Sequence, residues 1–125
     1  LFNYDGVQDS EIVVICESWG SALAVGRHAV GINGKDMSEV QLRKLLHLKA
    51  QTFLVLLDHG AEAKAAQLAQ RLAEARRVLV ALLPWGDPNE VPKAVLNQAV
   101  ADAKVYSTST MLRSMTVSLA ARIHR

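Results

Sequence analysis

Cysteine, aromatic residues and long hydrophobic runs are all scarce in this sequence. The single cysteine among 125 residues, Cys16, excludes an internal disulfide and a cysteine-ligated zinc site within the chain. Its place in an apolar run marks it as a buried small hydrophobe, and this usage fits a reducing, cytoplasmic setting. No apolar run approaches the roughly 20 residues of a membrane span, and no signal peptide opens the chain, so no membrane partner is expected. Leu1 in the place of Met implies a processed or excised piece of a longer protein, with function shared among its parts. Acid is missing from residues 103–125, which carry Lys104, Arg113, Arg122 and Arg125, whereas residues 1–102 hold 10 basic and 12 acidic groups. The net charge of +2 therefore conceals a basic tail.

Half of the residues are apolar, enough for one domain with a real core. The most informative stretch is Thr52 to Gly60, where Phe53-Leu54-Val55-Leu56-Leu57 stops at Asp58-His59-Gly60. An unbroken apolar run without alternation suits a strand covered on both faces, as in a parallel sheet. Residues 11–16, 29–32 and 77–83 read the same way, so four strands are expected. Between them, Ser18-Trp19-Gly20-Ser21 reads as a polar turn before a short helix over 22–27. Ser38 and Gln41 form a capping box that launches a helix to about Leu48, with Val40, Leu45 and Leu48 available to the sheet. Residues 61–76 form an alanine-rich amphipathic helix on Ala65, Leu68 and Leu72. Pro84 to Glu90 is a stiff loop whose Asn89 can cap a helix over 91–103 that takes Pro92 in its first turn. Residues 1–10 read as a lead-in and residues 104–125 as a basic helix or tail. The order β-α-β-α-β-α-β-α calls for right-handed crossovers and a parallel sheet sandwiched between helices.

Acids then gather at one rim. Glu17 ends the first strand, Asp58 the third, and Asp87 follows the fourth. Neighbouring strands lie about 5 Å apart, so two of these carboxylates can share one divalent cation. Ligands of open α/β sheets bind at this edge. Asp58 can equally serve as the cap of the helix that follows. The basic residues Arg43 and Lys44, on the helix after Ser38, form either a solvated face or a nucleic-acid contact.

Taken together, Glu17 closing an apolar strand, Gly34-Lys35 with Ser38 and Gln41, Leu57-Asp58 opening an alanine-rich helix, and Leu83-Pro84 leading into Asp87-Pro88-Asn89-Glu90 resemble the Toprim domain. The likeness is to the Toprim domain of bacterial and phage DNA primases in particular, and it covers roughly residues 11–103. It implies a Toprim-like α/β fold with a four-stranded parallel sheet. It also implies a place in a replication protein that makes RNA primers by nucleotidyl transfer dependent on Mg²⁺ (or Mn²⁺). By match, Glu17 is a general acid/base or metal carboxylate, Asp58 a metal ligand and Asp87 a second-metal residue. Implied partners are a single-stranded DNA template, nucleotides, and other domains of the parent protein such as a zinc-binding or helicase domain. Lys35, Arg43, Lys44, Arg113 and Arg122 are the candidate nucleic-acid residues.

The sequence also departs from that pattern. Ser18 follows Glu17 where the family has glycine, Ser21 stands where an aspartate is usual, and Asp-x-Asp is reduced to Asp58-His59-Gly60. Losing a metal carboxylate removes a full charge, which predicts weaker metal binding and a weak or inactive isolated domain. Glu62, one helical turn beyond Asp58, is positioned to compensate, and His59 suits zinc or manganese better than magnesium. Gly60→Asp would rebuild the pair, and the fold is expected to tolerate it unless Gly60 has positive φ, where the aspartate would strain the backbone and cost stability. Three readings compete: a primase or nuclease module, a degenerate Toprim scaffold that binds nucleic acid or a replication partner, and a receiver-like domain phosphorylated on Asp58. Against the last, the first strand ends in a single acid and no fifth strand followed by lysine is legible.

Overall fold

The computed structural model describes residues 1–34 and 36–107. Lys35, Arg113, Arg122 and residues 108–125 of the expected basic helix or tail lie outside the described residues.

Strands β1 (Ile12–Cys16), β2 (Ala29–Gly31), β3 (Thr52–Leu56) and β4 (Arg77–Ala81) pair in parallel in the spatial order β2-β1-β3-β4. These are the four expected strands, each slightly shorter than its apolar run. A fifth, β5 (Lys104–Val105), joins β4 antiparallel, with Leu79 opposite Val105 and Val80 opposite Lys104. It was illegible because both of its residues are exposed, so no apolar run marks it. Lys104 and Val105, which composition groups with the basic tail, thus belong to the sheet.

Both faces of the sheet are apolar. Val13, Ile15, Phe53, Val55, Val78 and Val80 are buried on one side, and Val14, Cys16, Leu54, Leu56 and Ala81 on the other. This double burial is why the strands read as continuous runs. Helices α2 (Glu39–Leu46) and α3 (Glu62–Ala73) cover the first face through Leu45, Ala65, Leu68 and Leu72. Helices α1 (Trp19–Val25) and α4 (Lys93–Ala101) cover the second through Ala22, Leu96 and Ala99. Among the described residues no helix is long and apolar enough to cross a membrane.

Three local expectations need correction. Helix α1 starts at Trp19, because Ser18 is extended and its hydroxyl accepts from the Ser21 N–H; the supposed polar turn is a capped first turn. Val40 is 61% exposed, since at 100° per residue it lies about 140° around α2 from Leu45. The Ser38–Gln41 capping box itself forms, and the Gln41 side-chain amide also reaches the Ile32 carbonyl at 2.7 Å. Before α4 it is Asp87, not Asn89, that holds the turn, and Pro92 occupies the cap position.

The connection from β1 to β2 runs one way across the sheet, and that from β3 to β4 runs the other. The strand order therefore reverses between β1 and β3, and a crevice opens at the carboxyl ends of these two strands. Glu17 and Asp58 follow those ends. The β1 side of the crevice depends on Gly31: a Cβ there would lie 2.8 Å from the carbonyl carbon and oxygen of Ser18. Gly31→Ala is expected to lower stability by about 1–3 kcal/mol, read as a lower urea midpoint at unchanged slope, because backbone must move to admit the methyl.

Candidate metal centre at the carboxyl edge

Glu17 is fixed by the ladder that runs on past β1: the Ile32 N–H donates to the Cys16 carbonyl, and the Asn33 N–H to the Glu17 carbonyl at 2.8 Å. Across the crevice, the Asp58 backbone N–H donates to Glu17 Oε1 at 3.3 Å. The other carboxylate oxygen, Oε2, lies 3.8 Å from Lys64 Nζ. Lys64 in turn donates to the Gly34 carbonyl at 3.1 Å. With only 22% and 24% of their side-chain surface exposed, Lys64 and Glu17 are screened less than a surface pair.

Asp58 is half-buried, but its Oδ1 is sealed from solvent without a hydrogen-bond partner. It does not cap α3: the cap position belongs to Ala61, and no side chain bonds there. Burial, then the charges of Glu17 and Asp87, push the Asp58 carboxyl above the ordinary carboxylate range, while Lys64 pulls it down. Beneath it, burial and then the Asp58 charge push the Cys16 thiol up to about 12, so this cysteine is an inert core group.

The other candidates are engaged locally. Asp87 Oδ1 accepts from the Asn89 and Glu90 N–H groups at 2.7 and 2.9 Å, and the Asp87 side chain also hydrogen-bonds that of Glu90, raising the Glu90 carboxyl. Glu62 Oε1 accepts from the Gly60 N–H at 3.3 Å and lies 3.9 Å from His59 Nδ1. A carbonyl can only accept, so the 2.9 Å contact between His59 Nδ1 and the Leu83 carbonyl puts a proton on that nitrogen. With the His59 N–H donating to the Gly86 carbonyl, the residue ties the β3 loop to the β4 loop. Among the described residues no three His, Cys, Asp or Glu side chains form a group able to hold a metal ion. The structure brings Glu17 and Asp58 together and leaves Asp87 near enough for its charge to be felt at Asp58, while Glu62 turns to its own loop.

The candidate nucleic-acid residues are placed differently. Arg43 and Lys44 are exposed in the last turn of α2, and a crossover helix runs back against its strands, so they lie toward the edge of the sheet opposite the carboxylates. The residue that sequence reasoning passed over is Lys64, in the first turn of α3. Its signal was position: the first turn of a helix after a parallel strand lies at the carboxyl edge.

Two measurements follow from this geometry. An acid whose pKa is raised by folding holds its proton more tightly in the folded chain, so stability falls as pH rises from the unfolded value, near 3.9, through the raised one. Asp58→Asn is therefore expected to raise Tm at pH 7, with the gain vanishing below about pH 4. Gly60 has open space around a built Cβ but a φ of +92°, so the expected tolerance of Gly60→Asp is corrected. That variant should lose about 1–2 kcal/mol in urea unfolding through backbone strain.

No protein-family model matches this sequence, and no curated protein matches it. Among solved structures, the chain is similar to the crystal structure of the RNA polymerase domain of Mycobacterium tuberculosis primase DnaG, at 22% identity and a TM-score of 0.60. The match covers 82% of this chain and 39% of that one, so this chain spans about two fifths of the length of the structure it resembles. What the likeness establishes is the fold, an α/β architecture of the primase type.

Proposed function

We propose that this chain is the Toprim-type catalytic core of a primase-like replication protein, joining nucleotides into RNA primers on a single-stranded DNA template. The observation that carries the proposal is the pairing of Glu17 with Asp58 at the crevice where the strand order reverses, with Asp58 Oδ1 buried and unpartnered. An orphaned carboxylate oxygen is costly unless a proton or a cation satisfies it.

Magnesium is ordinarily held by one or two protein carboxylates together with substrate phosphate oxygens. Glu17 and Asp58 therefore suffice for one ion although no third ligand joins them among the described residues. Held by Glu17 and Asp58, such an ion, Mg²⁺ or Mn²⁺, would supply charge neutralisation at the transferring phosphate and would make the attacking hydroxyl more acidic. Asp58 is the ligand with an oxygen to spare, and Glu17 is its partner or the group that takes the hydroxyl proton. Asp87 shapes the neighbouring loop and adds negative potential. Gly60 in place of a second aspartate makes this a weaker site than a three-carboxylate one. Both tryptophans of the chain, Trp19 and Trp85, are exposed on segments that leave the same edge, after β1 and β4. They offer faces on which unpaired bases can stack. Lys35 and the basic tail with Arg113 and Arg122 are the further contacts proposed for the phosphate backbone.

The test is a Mn²⁺ titration followed by primer synthesis on a single-stranded template, with the domain inside its full-length protein. Mn²⁺ should bind in the millimolar range or tighter and raise Tm, and both Glu17→Gln and Asp58→Asn should abolish the shift and reduce primer synthesis at least about 100-fold, the scale of losing one electrostatic stabiliser. Retained single-strand binding without metal binding or synthesis would establish the degenerate scaffold instead.

A further inference from the structure

Among the described residues, the cation paired with Glu17 is the chain's own Lys64. Both oxygens of Glu17 are engaged, Oε1 by the Asp58 N–H and Oε2 by the ammonium of Lys64. Lys64 is itself held by the Gly34 carbonyl, so it is a fixed counter-charge and not a freely moving surface lysine. Asp58 Oδ1 has no partner in this arrangement. An open groove of about 480 Å³ adjoins Lys64, lined also by Asp36, Glu39, Gln67 and Arg71. Arg71 already pairs with Glu39 at 2.8 Å, whereas Asp36 is exposed and within the same groove.

We infer that Lys64 positions Glu17 and competes with divalent cations for it, so that an ion can use Glu17 together with Asp58 only when the ammonium leaves Oε2 for the adjoining groove. This rests on the reading of Glu17 and Asp58 as a metal pair. The physical basis is charge. At contact distance a fixed monovalent cation and a divalent ion repel each other, and the pair's partial burial keeps that repulsion from being screened away. The lysine thus offsets part of the negative charge of the crevice when no ion is bound and sets a threshold for ion binding. A chain that has lost a carboxylate at Gly60 and retains Lys64 combines two reasons for weak affinity, and only the second is removed by changing the lysine.

The experiment measures free Mn²⁺ by its paramagnetic resonance signal in titrations of the wild-type protein, Glu17→Gln, Lys64→Met, Lys64→Arg, and Lys64→Met combined with Glu17→Gln. Removing the charge at near-constant length should tighten Mn²⁺ about tenfold and enlarge the Tm rise that Mn²⁺ produces. Lys64→Arg should stay close to wild type, and the added Glu17→Gln should erase the gain. Lys64→Gln serves in place of Lys64→Met if the latter does not fold. Unchanged or weaker Mn²⁺ binding in the uncharged variants, with Glu17→Gln still weakening the wild type, overturns the competition and leaves the metal pair standing. Absence of Mn²⁺ binding in every variant overturns both.

Discussion

The parallel ladder between β1 and β3 is the constraint on which the site depends. Ile12 pairs with Thr52 and Ile15 with Val55, so the two strands end in step and deliver Glu17 and Asp58 to within one residue of the same level. Parallel neighbours are about 5 Å apart, which leaves two carboxylates little choice but to share an environment. What holds them there is the packing below: Ile15, Phe53, Val55 and Leu56 are fully buried, each contributing roughly 1.5–3 kcal/mol of apolar burial. The core absorbs the repulsion that the rim creates.

The rim's electrostatics follow from that juxtaposition. Asp58 carries a sealed oxygen with no hydrogen bond, next to one acid and within reach of the field of another. Such a group lowers stability, and arrangements of this kind cluster where a fold is shaped for a ligand and not for its own packing. Lys64 compensates part of the charge from the first turn of α3, and the loops are braced by His59, Asp87 and Arg71. The bracing residues do not themselves need to touch a ligand.

Several of these features were legible in the residues. The doubly covered strands announce themselves as runs without alternation, and the Ser38–Gln41 box marks the start of α2 because two reciprocal bonds need those two side chains at that spacing. Glu17 and Asp58 stand out because a charge terminating a buried run has to be at a strand end. The start of α1 was hidden, since Ser18 caps it without an acidic or amide partner three residues on, and β5 was hidden because two exposed residues carry no pattern. The role of Asp87 was also concealed: an aspartate in a turn looks the same whether it awaits a cation or accepts two backbone N–H groups.

The sequence by itself determined the class of fold, the direction of its strands and the edge at which the acids gather, because hydrophobic periodicity and strand length are local properties. Tertiary structure alone decided which acids meet. Strand order places β1 beside β3 and not beside β4, the left-handed backbone at Gly60 rules out an unstrained aspartate there, and the start of α3 at the carboxyl edge, beside β1, brings Lys64 onto Glu17 across 47 residues of chain. Those are distances through space, set by how helices pack back across a sheet, and no spacing along the chain encodes them.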